Sequence, residues 1–520
     1  MKQLIYIITL LALGGLSCSK DLNQVPISTA TTETFYKQPS DFLQGINAAY
    51  NGLRGATNQP GYPDRLLFLS EVRSDNIYPS NDVGRDPDPI NNFSPGIASN
   101  VYVEEAWTTN FNGIFKANTV IDQISKNGSF IGSAALANRL TAEARFLRAF
   151  YYFDLVRYFG KVPVIEKPVA ASEAITIGRS AVKDVYTFII ADLQFAIANL
   201  PANYGGTFPG YTTADVGRAT KYAAEAILAQ VYMARSGATY NIEGPGMGLN
   251  EWALALTLLQ DIISSSQFVF NPNFAGATGI FSYANQNPVT NKEAVFDIMY
   301  LTGQSPILGA TFPWQLVPNS YFLSLPAGNT PANGALGFPA VSSNLINSFA
   351  ATDARKAPTF HTTTFTYSGV PDAHPFFRKY LDTTKIPTSR FDWGINFIAV
   401  RYTDVLMLKA ECILHGAPGT QADADAIVNQ VRTRAALPAI TNVTLDQLLD
   451  ERRKEFAGEG LRWFDLQRSG KLITIMNAWI AVEDAALHKM NQVNANYIIY
   501  PVPQSQQDAV PGLYGQNTGY

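Results

Sequence analysis

The chain has 520 residues, 47% of them apolar, and its 38 Lys plus Arg against 42 Asp plus Glu leave a formal charge of −4. That apolar share can bury a large core, which excludes intrinsic disorder, and the absence of a basic run excludes electrostatic nucleic-acid binding. After residue 20 no stretch gives 18 consecutive apolar positions, which excludes a polytopic helical membrane protein.

Lys2 precedes an apolar run, 4–16, of the length of a signal-peptide core and too short to span a bilayer comfortably. Residues 1–17 therefore read as a signal peptide. Cys18, directly after small residues, resembles the lipobox cysteine of bacterial lipoproteins, which implies lipidation there. Residues 18–34, with Ser19-Lys20-Asp21 and then many Thr, read as a tether. The other cysteine, Cys412, lies in an apolar helical stretch and reads as a buried small hydrophobe.

From 35 onward helices are predicted at 41–53 and 105–124. Leu140, Ala144, Leu147, Tyr151, Leu155 and Tyr158 step by three and four along one face of a long helix, which Gly160 and Pro163 end. Further helices are predicted at 182–200, at 218–235 with small residues along one face, and at 252–264. Helices return at 402–414, 422–434, 444–456 and 461–472, with Thr444 and Gln447 spaced as a capping box. Paired helices with recurring small and aromatic positions suggest tetratricopeptide-like hairpins. Between them, 268–397 is rich in Gly, Pro, Asn, Thr and aromatics, with strand-like runs at 294–300 and 362–367; 73–100 is a shorter loop-rich stretch. Loops on a rigid scaffold commonly carry function.

Enzyme signatures are missing: the four histidines, His361, His374, His415 and His488, are not at metal-ligand spacing, and there is no Gly-x-Ser-x-Gly elbow or Walker loop. Gly244–Gly248 follows no strand and reads as a helix connector. Asp82, Asp86 and Asp88 could supply oxygen ligands to calcium, but read better as a solvated Pro-rich turn. No cofactor or metal is expected. The charged run 451–466 reads as architecture, with Arg452–Glu455 and Arg462–Asp465 spaced as helix-face ion pairs and Gly458 and Gly460 turning the chain between two helices.

Several motifs in order give a resemblance. They are Thr34-Phe35-Tyr36, the run 143–160 (EARFLRAFYYFDLVRYFG), Gly217-Arg218-Ala219-Thr220, Arg401-Tyr402-Thr403-Asp404-Val405-Leu406, the run 451–466 (ERRKEFAGEGLRWFDL) and the tail from Pro501 to Tyr520. Together they resemble the SusD/RagB outer-membrane lipoproteins of glycan-uptake systems, over nearly all of the mature chain. The resemblance implies a mainly α fold: a superhelix of four tetratricopeptide-like helix pairs, with an irregular ligand-binding part containing short β elements. It implies a single body, 35–520, with scaffold at 35–267 and 398–520 and binding loops at 268–397 and 73–100. It further implies a lipid-anchored, surface-exposed outer-membrane protein that captures an oligosaccharide for a SusC-type TonB-dependent transporter without cutting it. A peptide-binding member of the family is the alternative; an all-α glycoside hydrolase and a protein-binding tetratricopeptide scaffold rank lower.

A sugar ring offers C–H groups on its faces and hydroxyls at its edge, so it calls for aromatic faces beside Asn, Asp and Arg. The first loop stretch supplies Asp75, Asn76, Tyr78, Arg85, Asn91, Asn92 and Phe93; the second supplies Tyr283, Phe312, Trp314 and Tyr321. Trp314, in an irregular stretch after Pro313, is the leading candidate for the ligand platform. Trp107, Trp252 and Trp463 fall in helices and read as core.

Overall fold

The computed structural model describes residues 35–55, 60–78, 87–206, 210–326, 331 and 340–520. Cys18, with the expected signal peptide and tether, and Arg85 lie outside the described residues, as do Asp82 and Asp86. The fold is mainly α. Its first helices are α1 (Pro39–Arg54), α2 (Val101–Asn127), α3 (Ala134–Phe159), α4 (Val182–Asn199), α5 (Lys221–Ser236) and α6 (Trp252–Ser264). The later ones are α7 (Tyr402–Leu414), α8 (Gln421–Arg434), α9 (Leu445–Glu455), α10 (Arg462–Ser469) and α11 (Leu472–Glu483). From α1 to α8 each helix packs on the next in this series, which builds the superhelix.

Side-chain caps set several helix starts. Thr444 and Gln447 form the expected capping box on α9. The helix predicted at 218–235 begins later, at Lys221, because the Thr220 hydroxyl accepts the Ala223 N–H at 3.3 Å. Arg218 is left outside the helix and bonds Glu143 at 2.9 Å. On α3 periodicity marks one apolar face, yet the helix is buried nearly all round, because α1, α2, α4 and α5 surround it. Its arginines are accordingly paired: Arg148 holds Asp192 through two bonds of 2.7 and 2.8 Å. Where α2 crosses α3, a Cβ on Gly113 would lie 2.3 Å from the Tyr151 ring, so only glycine admits this approach.

The strands form four two-stranded antiparallel ribbons among the described residues. β2 (Ala294–Ile298) pairs with β4 (Phe397–Arg401), tying the loop-rich stretch to the start of α7. β1 (Ile77–Tyr78) pairs with β3 (Ala340–Val341), so the two predicted loop stretches meet in one ribbon. One hydrophobic cluster runs from Tyr36 to Val502 and includes Cys412, Trp107, Trp252 and Trp463.

The charged run 451–466 is architecture, but not through the pairs its spacing suggests. Arg452 reaches Asp404 at 2.7 Å and Asp465 at 2.9 Å. Glu455 receives Arg434 at 2.7 Å, Arg401 at 3.0 Å and Arg355 at 3.2 Å. Arg462 grips Asp75 through two bonds of 2.8 and 2.9 Å. Pairing along one helix suits a solvated face; these side chains are buried, and a buried charge needs partners from every neighbouring element. Burial works against ionising Glu455, yet the guanidiniums of Arg434, Arg401 and Arg355 hold its carboxyl well below the usual range. In the turn that follows, Gly458 and Gly460 (φ 80° and 78°) aim their N–H groups at the Glu71 carboxylate, at 2.8 and 2.9 Å.

Candidate functional site

The β1–β3 ribbon contributes Tyr78 to an open cleft of about 770 Å³, within the range of ligand sites. Tyr78 comes from the first loop stretch; Ser343, Asn344, Asn347 and Ser348 come from the short helix after β3; Asp450, Arg453 and Lys454 come from α9, and Val482 and Glu483 from α11. Ser342 starts the short helix as its N-cap, its hydroxyl accepting the Leu345 N–H at 3.4 Å, which puts Asn344 and Asn347 three residues apart on one face. Glu483 also supports that helix start, accepting the Ser343 N–H at 2.6 Å and the Asn344 N–H at 3.2 Å.

Tyr78 is half-buried, and its hydroxyl donates to Asp484 at 2.8 Å. Burial, with Asp484 as acceptor, pushes its pKa up, so the phenol stays neutral. Arg453 is the joint between cleft and scaffold. It donates to Asn76 Oδ1 at 2.9 Å, to the Asp75 carbonyl at 2.7 Å and to Asn344 Oδ1 at 2.8 Å. With its oxygen fixed by Arg453, the Asn344 amide keeps its NH2 donors, and the exposed Asn347 adds a second amide. Hydroxyls, amides and one rigid ring suit a polyhydroxylated ligand.

A second depression, about 540 Å³, is lined by Phe274, Phe281, Ser282, Tyr283 and 378–383. Tyr283 is half-buried there, and its hydroxyl donates to the Tyr380 carbonyl at 3.1 Å. The structure thus places Tyr78 and Tyr283 in different depressions.

Other expected contacts are corrected by burial. Asp75 is 1% exposed and held by Arg462 and Arg453. Burial opposes the shift, but the two guanidiniums bring its pKa to about 2. Asn76 is 1% exposed and spans Arg453 and Glu71, to which its amide donates at 2.8 Å. Buried Asn91 donates to the carbonyls of Val72 and Ile77, fixing the loop from within. Phe93 is fully buried, stacked on Trp463 with Arg73 over its ring. Phe312 is fully buried, edge-on to Tyr380 and Phe397. Trp314, the leading candidate, is 4% exposed and has the Arg390 guanidinium 4.7 Å from its ring centre; it is core. Asn92 is half-buried and accepts the Asn491 N–H at 3.0 Å through its carbonyl. Half-buried Tyr321 packs among His361, Phe365 and Phe376, outside both depressions. Asp88, of the considered calcium ligands, is buried, and no group of three or more His, Cys, Asp or Glu suited to a metal occurs among the described residues.

A helical scaffold that holds loops around open polar and aromatic depressions has the architecture of a ligand-binding protein. The comparisons with known proteins then place it. Residues 362–520 match the family model "SusD family", and residues 41–233 match "Starch-binding associating with outer membrane". The chain is thus similar to the SusD family over its last third and to a second, SusD-like family over 41–233. SusD-like protein P25 of Formosa agariphila is 25% identical, with 100% of this chain and 99% of that protein aligned. Surface glycan-binding protein A from Bacteroides uniformis superposes with a TM-score of 0.77 at 25% identity, covering 92% of this chain and all of that one. The corresponding protein from Bacteroides thetaiotaomicron, solved in complex with laminarihexaose, has the same fold, with a TM-score of 0.75 at 22% identity over 93% of this chain and 100% of that one.

Proposed function

We propose that this chain is a lipid-anchored surface protein of the outer membrane that captures an oligosaccharide in the Tyr78 cleft and passes it, uncleaved, to a SusC-type TonB-dependent transporter. The observation that carries the reading is the meeting of both loop stretches at the β1–β3 ribbon, where Tyr78, Asn344 and Asn347 offer a ring and two amides. Relatives of the same fold named as glycan-binding, one with laminarihexaose bound, support the ligand class. Support for the membrane comes from the Cys18 lipobox pattern and from the family description "associating with outer membrane".

The cleft is tested by Asn347→Trp, which adds bulk at an exposed position lining it. With the fold retained by circular dichroism, calorimetry on an oligosaccharide that the parent binds loses the heat of the cleft; binding identical to the parent refutes the cleft. Anchoring is tested by Cys18→Ala, expected to release folded protein into the soluble fraction, since the several acyl chains of a lipoprotein are what give stable attachment. Partition with outer membranes unchanged in a strain lacking the transporter refutes the lipid anchor.

A further inference from the structure

We propose that the groove containing Phe281 and Tyr283 is a second carbohydrate-binding site, separate from the Tyr78 cleft, so that one chain holds a glycan at two points. The inference rests on the glycan-binding reading above and extends it.

The two depressions share no lining residue. Four rings build the groove's aromatic part. Phe281 meets Tyr380 edge-on at 5.3 Å and Phe274 at 5.8 Å. Phe274 and Tyr380 are buried, whereas Phe281 and Tyr283 are only half-buried. The partly open ring is therefore locked by closed ones, and Tyr283 is fixed through its bond to the Tyr380 carbonyl. Rings already held in place lose little freedom when a ligand stacks on them.

The groove's buried cation does not redirect it to an anionic ligand. Lys379 Nζ, 4.9 Å from the Phe281 ring centre, is committed to Glu459 at 2.8 Å and to the Glu455 carbonyl at 3.2 Å. Its charge is matched inside the protein. The same bonds tie the groove to the charged run 451–466, on which Arg453 of the cleft also stands, held by Asp75, so both sites rest on rigid elements. Around the rings, Ser282, Thr383 and the exposed Arg378 bring hydroxyls and a guanidinium to the groove. Aromatic faces bordered by such groups fit a neutral sugar ring, which presents C–H to a face and hydroxyls to its edge. The volume of about 540 Å³ lies within the range of small-ligand sites.

The test is calorimetry with laminarihexaose, maltohexaose and xylohexaose in turn, on the parent and on two blocked variants. Ala277→Trp, at an exposed position lining the groove, fills it without replacing a buried side chain; Asn347→Trp blocks the cleft. At least one hexaose is expected to bind with a stoichiometry of two, falling to one in either variant and to none in the double variant, with unchanged circular dichroism. On the polymer of that sugar, loss of one site lowers apparent affinity about a hundredfold, the scale of a lost second attachment. A stoichiometry of one that Asn347→Trp abolishes and Ala277→Trp leaves intact overturns the second site and spares the cleft. A single site removed by Ala277→Trp alone overturns the cleft and keeps the groove as a carbohydrate site. No heat from any hexaose overturns both readings.

Discussion

Replacing Glu455 by alanine probes the buried network at its centre. Three guanidiniums converge on this carboxylate, but they do not lose equally. Arg355 keeps Asp353 and Glu451, and Arg401 keeps Glu293 and Glu459. Arg434 has Glu455 as its carboxylate and otherwise bonds the Asn271 carbonyl and the Thr403 hydroxyl. The substitution therefore strands essentially one buried charge, a cost of about 3–5 kcal/mol. Unfolding entropy scales with length and reaches about 1 kcal/mol per degree for a body of this size, so the melting midpoint drops by about 3–5 °C. Glu455→Gln, which keeps the shape and loses the charge, falls similarly. Adding Arg434→Met to Glu455→Ala removes the stranded cation and recovers part of the loss, the coupling a double-mutant cycle reads. The control is Lys126→Ala, which deletes an exposed pair with Asp122 and shifts the midpoint by about 1 °C or less. Scanning calorimetry gives all four values. A Glu455→Ala midpoint within 1 °C of the parent, or a double variant no better than the single one, refutes the network as a source of stability.

Burial pushes the Asp297 carboxyl up to about 7 from an ordinary 3.8, against opposing bonds from the Asn396 side chain and its own backbone. Between those values the folded chain holds a proton that the unfolded chain has released, so this group's contribution to stability falls as pH rises through that window. Asp297→Asn is expected to narrow the difference in melting midpoint between pH 5 and pH 8; an undiminished difference contradicts the assignment. Trp314→Ala is expected to cost about 3–5 kcal/mol as a buried large-to-small change, measured by denaturant unfolding, with ligand affinity unchanged in whatever fraction stays folded. Gly113→Ala forces a methyl against the Tyr151 ring and lowers stability by about 1–3 kcal/mol; a melting midpoint equal to the parent's shows that the α2–α3 contact can open without cost.

The helices were legible because their signals are local. Caps at Thr444 and periodicity along α3 lie within a few residues of the structure they specify. The two loop stretches were legible by composition, but not their pairing. Nothing near Tyr78 announces Ala340 as its strand partner, since a two-residue ribbon carries no alternating pattern. The same distance hid the ion pairs of the charged run, whose partners, Asp75, Arg355 and Asp404, lie far along the chain. Trp314 misled because an aromatic among Pro and Gly has one composition whether it faces a ligand or, as here, packs inward beneath Arg390. Asn344 and Asn347 carried a usable signal, a Ser N-cap opening one helical turn with two amides on one face, in a stretch where the aromatic rings are the more conspicuous feature. Arg453 was hidden by its neighbours, because the run around it reads as scaffold although Arg453, with Lys454, also lines the cleft.

The central claim is glycan capture without cleavage. Its most direct measurement is affinity electrophoresis of residues 19–520 through gels carrying laminarin, starch, xylan or mannan, with reducing ends assayed after prolonged incubation. Retarded migration in at least one gel, weakened by Asn347→Trp and accompanied by no new reducing ends, is the predicted result. Unretarded migration in every gel, or the appearance of reducing ends, contradicts it.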